Sequence, residues 1–295
     1  MNHPAGPSTK ALRAASETGT RPGRAARGGP SRDRQAAAEQ IRAGLRERLA
    51  ESAALLGEAE AAPRETVHRF RKSLKRVRAT LRLLSDADGL DLESIESTCR
   101  DVARRFSALR DLDVMIAALA ARDDAPDYWP VDLPQHLLMA REAELARGVL
   151  SQPALDEMAA RLSEADAAVA ALALEHLSAG DLRRALKKSH RKARQALRRC
   201  RRSLDDEHFH DLRKRCKREL HQRELLEAVV DLPHRHRTAR LEAVCESLGE
   251  QQDLAVLRRT IEAAGALTPE LDESLTDRRD RFRRRVIHQA TALYG

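Results

Sequence analysis

The feature that most constrains this chain is an internal repeat that needs no gaps. VHRFRKSLKR (67–76) returns as FHDLRKRCKR (209–218), and LRDLDV (109–114) returns as QQDLAV (251–256). His68 and His210 stand 142 residues apart, and so do Asp111 and Asp253, so the His-to-Asp interval is 43 residues in both halves. A repeat at that period without insertions describes two copies of one supersecondary unit with the same loop lengths. Copies of that kind commonly pack about a pseudo-two-fold axis, which presents a surface carried by both units to one shared space.

The units read as helical. Gly and Pro are few (13 and 11), aromatic residues number seven in 295, and Ala, Leu, Arg and Glu dominate. That is a helix-forming composition. Breakers fall at Pro63, Gly89, Pro126, Pro130, Pro134, Gly180, Pro233, Gly265 and Pro269. Between them apolar residues recur at helical spacing, as in Phe70, Leu74, Val77, Leu81 and Leu84. The pattern predicts eight helices: 36–60, 64–86, 91–121, 134–178 (bent at Pro153), 181–204, 206–231, 234–264 and 268–293. The expected fold is all-α, with two tandem four-helix bundles, 36–179 and 180–295, around a basic central cavity or groove. Residues 1–35 are rich in Gly, Pro, Ser and Arg and lack the apolar content of a core, so a disordered basic tail is expected there. Cys99, Cys200, Cys216 and Cys245 are scattered without a CxxC pair and read as reduced core residues. No apolar run reaches a membrane span, and the N-terminus lacks a secretory leader, which points to the cytoplasm.

The net charge of +8 hides a segregation. Segment 67–82 carries seven Lys/Arg, 182–204 carries eleven, and neither holds an acid; 278–285 adds six Arg against one Asp. With the +5 of residues 1–35 set aside, the rest of the body sums to −20. A focused positive surface on an otherwise acidic protein attracts a polyanion.

On a helical wheel, His68, Arg71, Lys75, Arg78 and Arg82 fall within an arc of about 80°, beside the apolar arc. Lys187, Arg191, Arg194 and Arg198 form a similar row in 181–204. His210, Arg213 and Lys217, flanked by Lys214 and Arg218, repeat the first row, but Leu220 and Glu224 replace Arg78 and Arg82. Such rows set cations along roughly 20 Å of helix, which suits an extended anion better than a small metabolite. Guanidinium groups grip phosphate oxygens bidentately and ammonium groups add mobile charge. The bland alternative is a solvated face balanced by acids of neighbouring helices, such as those of 86–101.

His68 and His210 have no second ligand at i+3 or i+4, which argues against metal. A phosphate contact beside the Arg row or a core histidine with one hydrogen bond are the remaining readings, the first preferred. Asp111 and Asp253 are expected to orient basic side chains. Two other function classes are weaker. Nucleic-acid binding shares the phosphate target, but few aromatics stand near the rows and no helix-turn-helix, zinc-finger or RNA-recognition pattern occurs. An enzyme of phosphate chemistry would need a carboxylate cluster for Mg²⁺ or a Gly-rich loop, and the sequence displays neither.

The paired segments 67–84 and 209–226 resemble the CHAD domain, the conserved histidine α-helical domain. His68, Arg71, Lys75 and Arg78 match its pattern in full; His210, Arg213 and Lys217 match, with Leu220 in place of the second Arg. RDLDV (110–114) looks like the family's RDxDV element, and LGEQQDLAVL (248–257) like its LGxxxDxxVL counterpart. The likeness covers about 36–295. It implies two helical bundles with a basic channel that binds inorganic polyphosphate, with no cofactor, and an association with polyphosphate granules. The family's frequent fused partner, a triphosphate hydrolase bearing ExExK, is not found in the sequence, so the resemblance implies binding without catalysis.

Overall fold

The computed structural model describes residues 32–120, 132–230, 232 and 236–295, and residues 1–31 of the expected tail lie outside them. Among the described residues the chain is helical throughout, with ten helices: α1 (Arg32–Glu58), α2 (Pro63–Asp88), α3 (Glu93–Arg105), α4 (Ser107–Ala120), α5 (Leu133–Ala146), α6 (Gln152–Ala170), α7 (Ala179–Arg202), α8 (Asp206–Val229), α9 (His236–Ala263) and α10 (Pro269–Tyr294). Helix α1 starts at Arg32, inside the segment expected to be tail, with Asp33 favourably placed in its first turn.

The punctuation residues act where expected. Pro63 and Pro269 open α2 and α10, and Gly89 (φ 76°) closes α2 in the left-handed conformation that glycine tolerates. Ser178 and Asp181 form a reciprocal capping box at the start of α7.

Two of the eight expected helices are broken, both in the first half. The 91–121 segment splits at Phe106 into α3 and α4, whereas α9, its counterpart 142 residues on, runs unbroken through Leu248. Phe106 turns into the core and meets Phe70 edge to face, with ring centroids 5.3 Å apart. The equivalent positions in the second half hold Leu212 and Leu248, so smaller side chains fill the place of two rings. The second split, between α5 and α6, falls at 147–151 rather than at Pro153: Gly148 (φ 75°) ends one helix and Pro153 sits in the first turn of the next. Chain order and packing make α5 plus α6 the counterpart of α10. Helix α5 lies on α4 and α6 on α1 and α3, while α10 lies on α9 and α7.

The hydrophobic interior has three parts. One fills α1, α2, α3 and α6 and reaches Leu182, Ala185 and Leu186 of α7 and Leu226 of α8. A second joins α7 to α10 around Phe209, Cys216 and Tyr294. A third links α4 and α5 with the far ends of α9 and α10 through Met115, Leu137, Leu257 and Leu271. The core therefore crosses the 179/180 boundary, and the expected units 36–179 and 180–295 share part of one hydrophobic interior. All four cysteines are buried free thiols.

Candidate functional site: a basic cluster where the repeats meet

Helix α2 buries Phe70, Leu74, Val77, Leu81 and Leu84. Its basic row flanks that stripe, so it lines the edge of the seam where α2 packs on α8. The seam is held by polar links as well as by Leu226 of α8, which shares a core with the α2 stripe. Gln222, fully buried, donates to the Ala79 carbonyl at 3.0 Å, and Arg76 reaches Glu224 at 3.3 Å.

The first repeat's bases meet those of the second at this seam. Lys75 keeps its side chain open to solvent, yet protein crowds it on most sides. That loss of hydration, with Arg71, Arg213, Arg110 and Lys217 close by, pushes its pKa down to about 8. His68 is likewise solvent-open but short of water. Partial burial, then Arg110, Lys72, Lys75 and Lys217, hold it below the ordinary imidazole value. Arg110 is half-buried and has Asp113, Asp253 and Asp111 around it. Asp111 also acts on Arg71, and Asp253 lies beside Arg213 and Arg110. Burial outweighs those cations and raises the Asp253 carboxyl. Among the described residues, Arg71, Lys75, Arg110, Arg213 and Lys217 thus converge with two aspartates between them.

Arg71 and Arg213 differ in how they are held. Arg71 Nη1 donates to the Ala103 carbonyl at 2.5 Å and to Ser107 Oγ at 2.8 Å, both beside the α3/α4 break. The break frees the Ala103 carbonyl from the helical ladder, and Arg71 satisfies it. In the second half the helix is continuous, and Gly249 stands where Ser107 would recur. Arg213 lies against Gly249 and makes no hydrogen bond among the described residues; a Cβ added to Gly249 would meet its Nη2 at 3.8 Å. The histidines differ too: His210 Nδ1 pairs with Gln252 Oε1 at 3.0 Å, and Gln252 is the counterpart of Arg110.

The C-terminal part of the row has a different character. Arg78 and Arg82 share one buried carboxylate, Glu96, at 3.4 Å and at close hydrogen-bond range. Burial alone would raise the Glu96 pKa; Arg82 and Arg78 more than offset it and lower it. Balance by the acids of 86–101 therefore holds for these two arginines. Arg218 faces the same region, and burial beside Arg82 and Arg215 lowers its pKa to about 10. Lys214 is exposed beside His210.

The α7 row does not join the seam. Lys187, Arg191, Arg194 and Arg198 are all exposed. They lie about 150° round the helix from Leu182, Ala185, Ser189, Ala193 and Cys200, the stripe that α7 buries. Lys188 and Lys192, on the flank, reach α2 instead, both binding Asp86. The expectation that Lys187, Arg191, Arg194 and Arg198 would line the same space is corrected, because a helix packed by one face cannot turn its opposite face inward.

A pocket of about 490 Å³ opens at the N-terminal end of α2, lined by Ala62, Pro63, Arg64, Glu65, His68, Arg110 and Arg141. Of the expected row only His68 lines it. Arg110 and Arg141 were missed as site residues. Arg110 carried a signal, since it directly precedes the repeated Asp111; Arg141, bound to Asp113 at 2.7 Å, lies outside the repeated segments and carried none. No group of three or more His, Cys, Asp or Glu side chains placed to hold a metal occurs among the described residues. No described helix is long and apolar enough to cross a membrane.

These observations define an all-helical, internally duplicated protein in which both copies send basic side chains to one seam. The model of the CHAD domain matches residues 39–262, and the chain belongs to that family. Among solved structures it is similar to the crystal structure of the CHAD domain from the plant Ricinus communis, with a TM-score of 0.62 and 20% identity over 87% of each chain. That likeness concerns the fold. No curated protein matches the chain.

Proposed function

We propose that this protein binds inorganic polyphosphate along the α2/α8 seam, as a module without chemistry of its own that serves at polyphosphate granules in the cytoplasm. The observation that carries the reading is the meeting of Arg71, Lys75 and Arg110 from the first repeat with Arg213 and Lys217 from the second, where burial first and then these neighbouring cations push the Lys75 pKa down to about 8. Such a gathering is costly for a free protein and is relieved when a polyanion enters. A polyphosphate chain is thin and carries charge at every unit, so it meets successive cations from His68 toward Arg82 and Arg218. Guanidinium groups take its oxygens in pairs, and the ammonium groups of Lys75 and Lys217 follow its position. Glu96 leaves the pair Arg78/Arg82 one net positive charge, which makes that end of the path weaker than the Lys75 end.

The test is titration of the full chain with long-chain polyphosphate across a range of salt. By analogy with counterion release, each neutralised phosphate adds somewhat under one unit to the log–log slope, so about five contacts give a slope near four. Arg71→Ala with Arg213→Ala is expected to weaken binding by roughly tenfold or more and to lower the slope by one to two. Removing Arg21 and Arg24 instead is expected to cost about twofold, because neither belongs to the repeated rows whose cations the fold gathers at the seam. Equal losses from the two double variants would overturn the reading.

A further inference from the structure

The outward row of α7 is the feature that polyphosphate binding at the seam leaves unused. Helices α1 and α7 fill the same slot in the two halves, each first in its unit and packed on the next helix, α2 or α8. Their charge is not alike. Helix α1 carries five Lys/Arg and five Asp/Glu, and two of its arginines are paired, Arg42 with Glu175 and Arg46 with Asp166. Helix α7 carries eleven Lys/Arg against Asp181 alone. Lys187, Arg191, Arg194 and Arg198 have no hydrogen bond or ion pair among the described residues. The fold therefore does not require a basic helix in this slot, and the charge has some other reason.

The basic face continues onto α10. Arg201 donates to Thr291 Oγ1 at 2.6 Å, which ties the two helices together at the surface. Beside Thr291 lies a shallow depression of about 490 Å³, lined by Arg284, Ile287, His288, Thr291 and Ala292. Residues 281–295 contain no acid, as 182–204 contain none.

We propose that this α7/α10 face is a second polyanion site, separate from the seam, and that its occupant is the phosphate backbone of duplex nucleic acid. Shape and spacing both favour that occupant. An exposed ridge cannot surround a thin flexible chain, which would lose more conformational freedom there than it gains, but it can lie against a wide rigid one. From Lys187 to Arg198 the row spans about 17 Å at 1.5 Å per residue, a length over which one strand of B-form duplex offers about five phosphates. Single strands are disfavoured because α7 has no aromatic side chain on which bases could stack. Contact is with phosphates, so binding is independent of sequence. This inference does not rest on the polyphosphate reading.

The test uses the full chain, a random 20-base-pair DNA duplex and long-chain polyphosphate as separate probes. Replacing Lys187, Arg191, Arg194 and Arg198 together by Gln is expected to weaken duplex binding by about tenfold or more and to lower its salt slope by about three. Polyphosphate affinity should change by less than about threefold. The charge-retaining set Arg191→Lys, Arg194→Lys and Arg198→Lys should keep most duplex binding, and a single Arg194→Glu should weaken it, so the outcome does not hang on one variant's folding. Arg71→Ala with Arg213→Ala should give the opposite pattern. The proposal is overturned if the intact protein ignores duplex, if the Gln set leaves duplex affinity and slope unchanged, or if the seam variant removes duplex binding equally. None of those results bears on the polyphosphate titration, which reads the seam with its own probe.

Discussion

Arg71 and Arg213 occupy the same place in the two repeats, yet one is anchored to a broken helix and the other lies unanchored against a continuous one. The contrast extends along both helices. Beyond Lys75, α2 stays basic with Arg78 and Arg82, whereas α8 turns to Leu220, buried in the second half's core, and to His221, Gln222 and Glu224 at the seam or its flank. Duplication gave two equivalent rows, and the second row's distal half has become the joint that holds the halves together. On the proposed polyphosphate path the second repeat then offers His210, Arg213, Lys214, Lys217 and Arg218.

The strongest way to break this comparison is to restore the family pattern. Leu220→Arg recreates the second arginine of the motif, at a position only 3% exposed. If the distal half of α8 were ligand surface, the change would raise polyphosphate affinity. The joint reading expects instead a buried, unpaired charge and a loss of roughly 3 kcal/mol or more of stability, read from denaturant unfolding. Normal stability with tighter binding would remove the distinction drawn here.

Next in size is the split between the two arginines. Arg71→Ala orphans the Ala103 carbonyl and the Ser107 hydroxyl, so it should cost about 1–2 kcal/mol of stability as well as affinity. Arg213→Ala removes a cation with no hydrogen bond among the described residues, so stability should change by less than about 0.5 kcal/mol while affinity falls several-fold. Identical stability losses would show that the anchoring of Arg71 is not what separates them.

How much of this was legible beforehand follows from which interactions are local. Helix ends at Pro63, Gly89, Gly265 and Pro269 are set by backbone chemistry within a turn, and the sequence displays them. The repeat and the wheel positions of Arg71, Lys75, Arg213 and Lys217 depend on spacing alone. The break at Phe106 could not be read, because it depends on Phe106 meeting Phe70, a residue 36 positions earlier. Glu96 was visible only as one of several acids in 86–101, and its pairing with Arg78 and Arg82 is tertiary. The α7 row illustrates the converse: periodicity established that Lys187, Arg191, Arg194 and Arg198 share a face, but a wheel does not say which way that face turns.

Lys75 offers a smaller, pH-dependent test of whether the seam is where the anion sits. Its pKa of about 8 lies below the ordinary 10.5, so free protein loses that charge as pH rises through 8. An anion beside it favours the charged form and lifts the pKa again. Below pH 8 the ammonium is mostly charged with or without ligand, and Lys75 adds little pH dependence there. Between pH 8 and the raised value, binding must take up a proton, and affinity should fall by several-fold from pH 8 to about 9.5. Calorimetry at pH 9 in two buffers of different ionisation heat reads the proton directly; no uptake would place the ligand away from Lys75. Lys75→Arg should flatten the profile, because a guanidinium stays charged throughout.

The smallest expected effect is the most direct test of the comparison, because it moves one repeat toward the other. Gly249→Ser places in α9 the hydroxyl that Ser107 supplies in the first half. The added Cβ meets Arg213 Nη2 at 3.8 Å, an ordinary contact, so the Cβ is accommodated without displacement. Two consequences follow, one from the Cβ and one from the hydroxyl. Glycine within a helix is less favourable than serine by roughly 0.5 kcal/mol, so stability should rise by about that amount. The hydroxyl also gives Arg213 a partner inside the protein, as Ser107 does for Arg71 at 2.8 Å. One donor is then diverted from the ligand, and polyphosphate affinity should fall by about two- to threefold, with the salt slope unchanged because no charge is lost. A loss of slope along with affinity would mean that the serine had displaced Arg213 from the seam. No change in affinity would mean that anchoring does not limit what Arg213 contributes, and the two arginines would then be equivalent in binding despite their different surroundings.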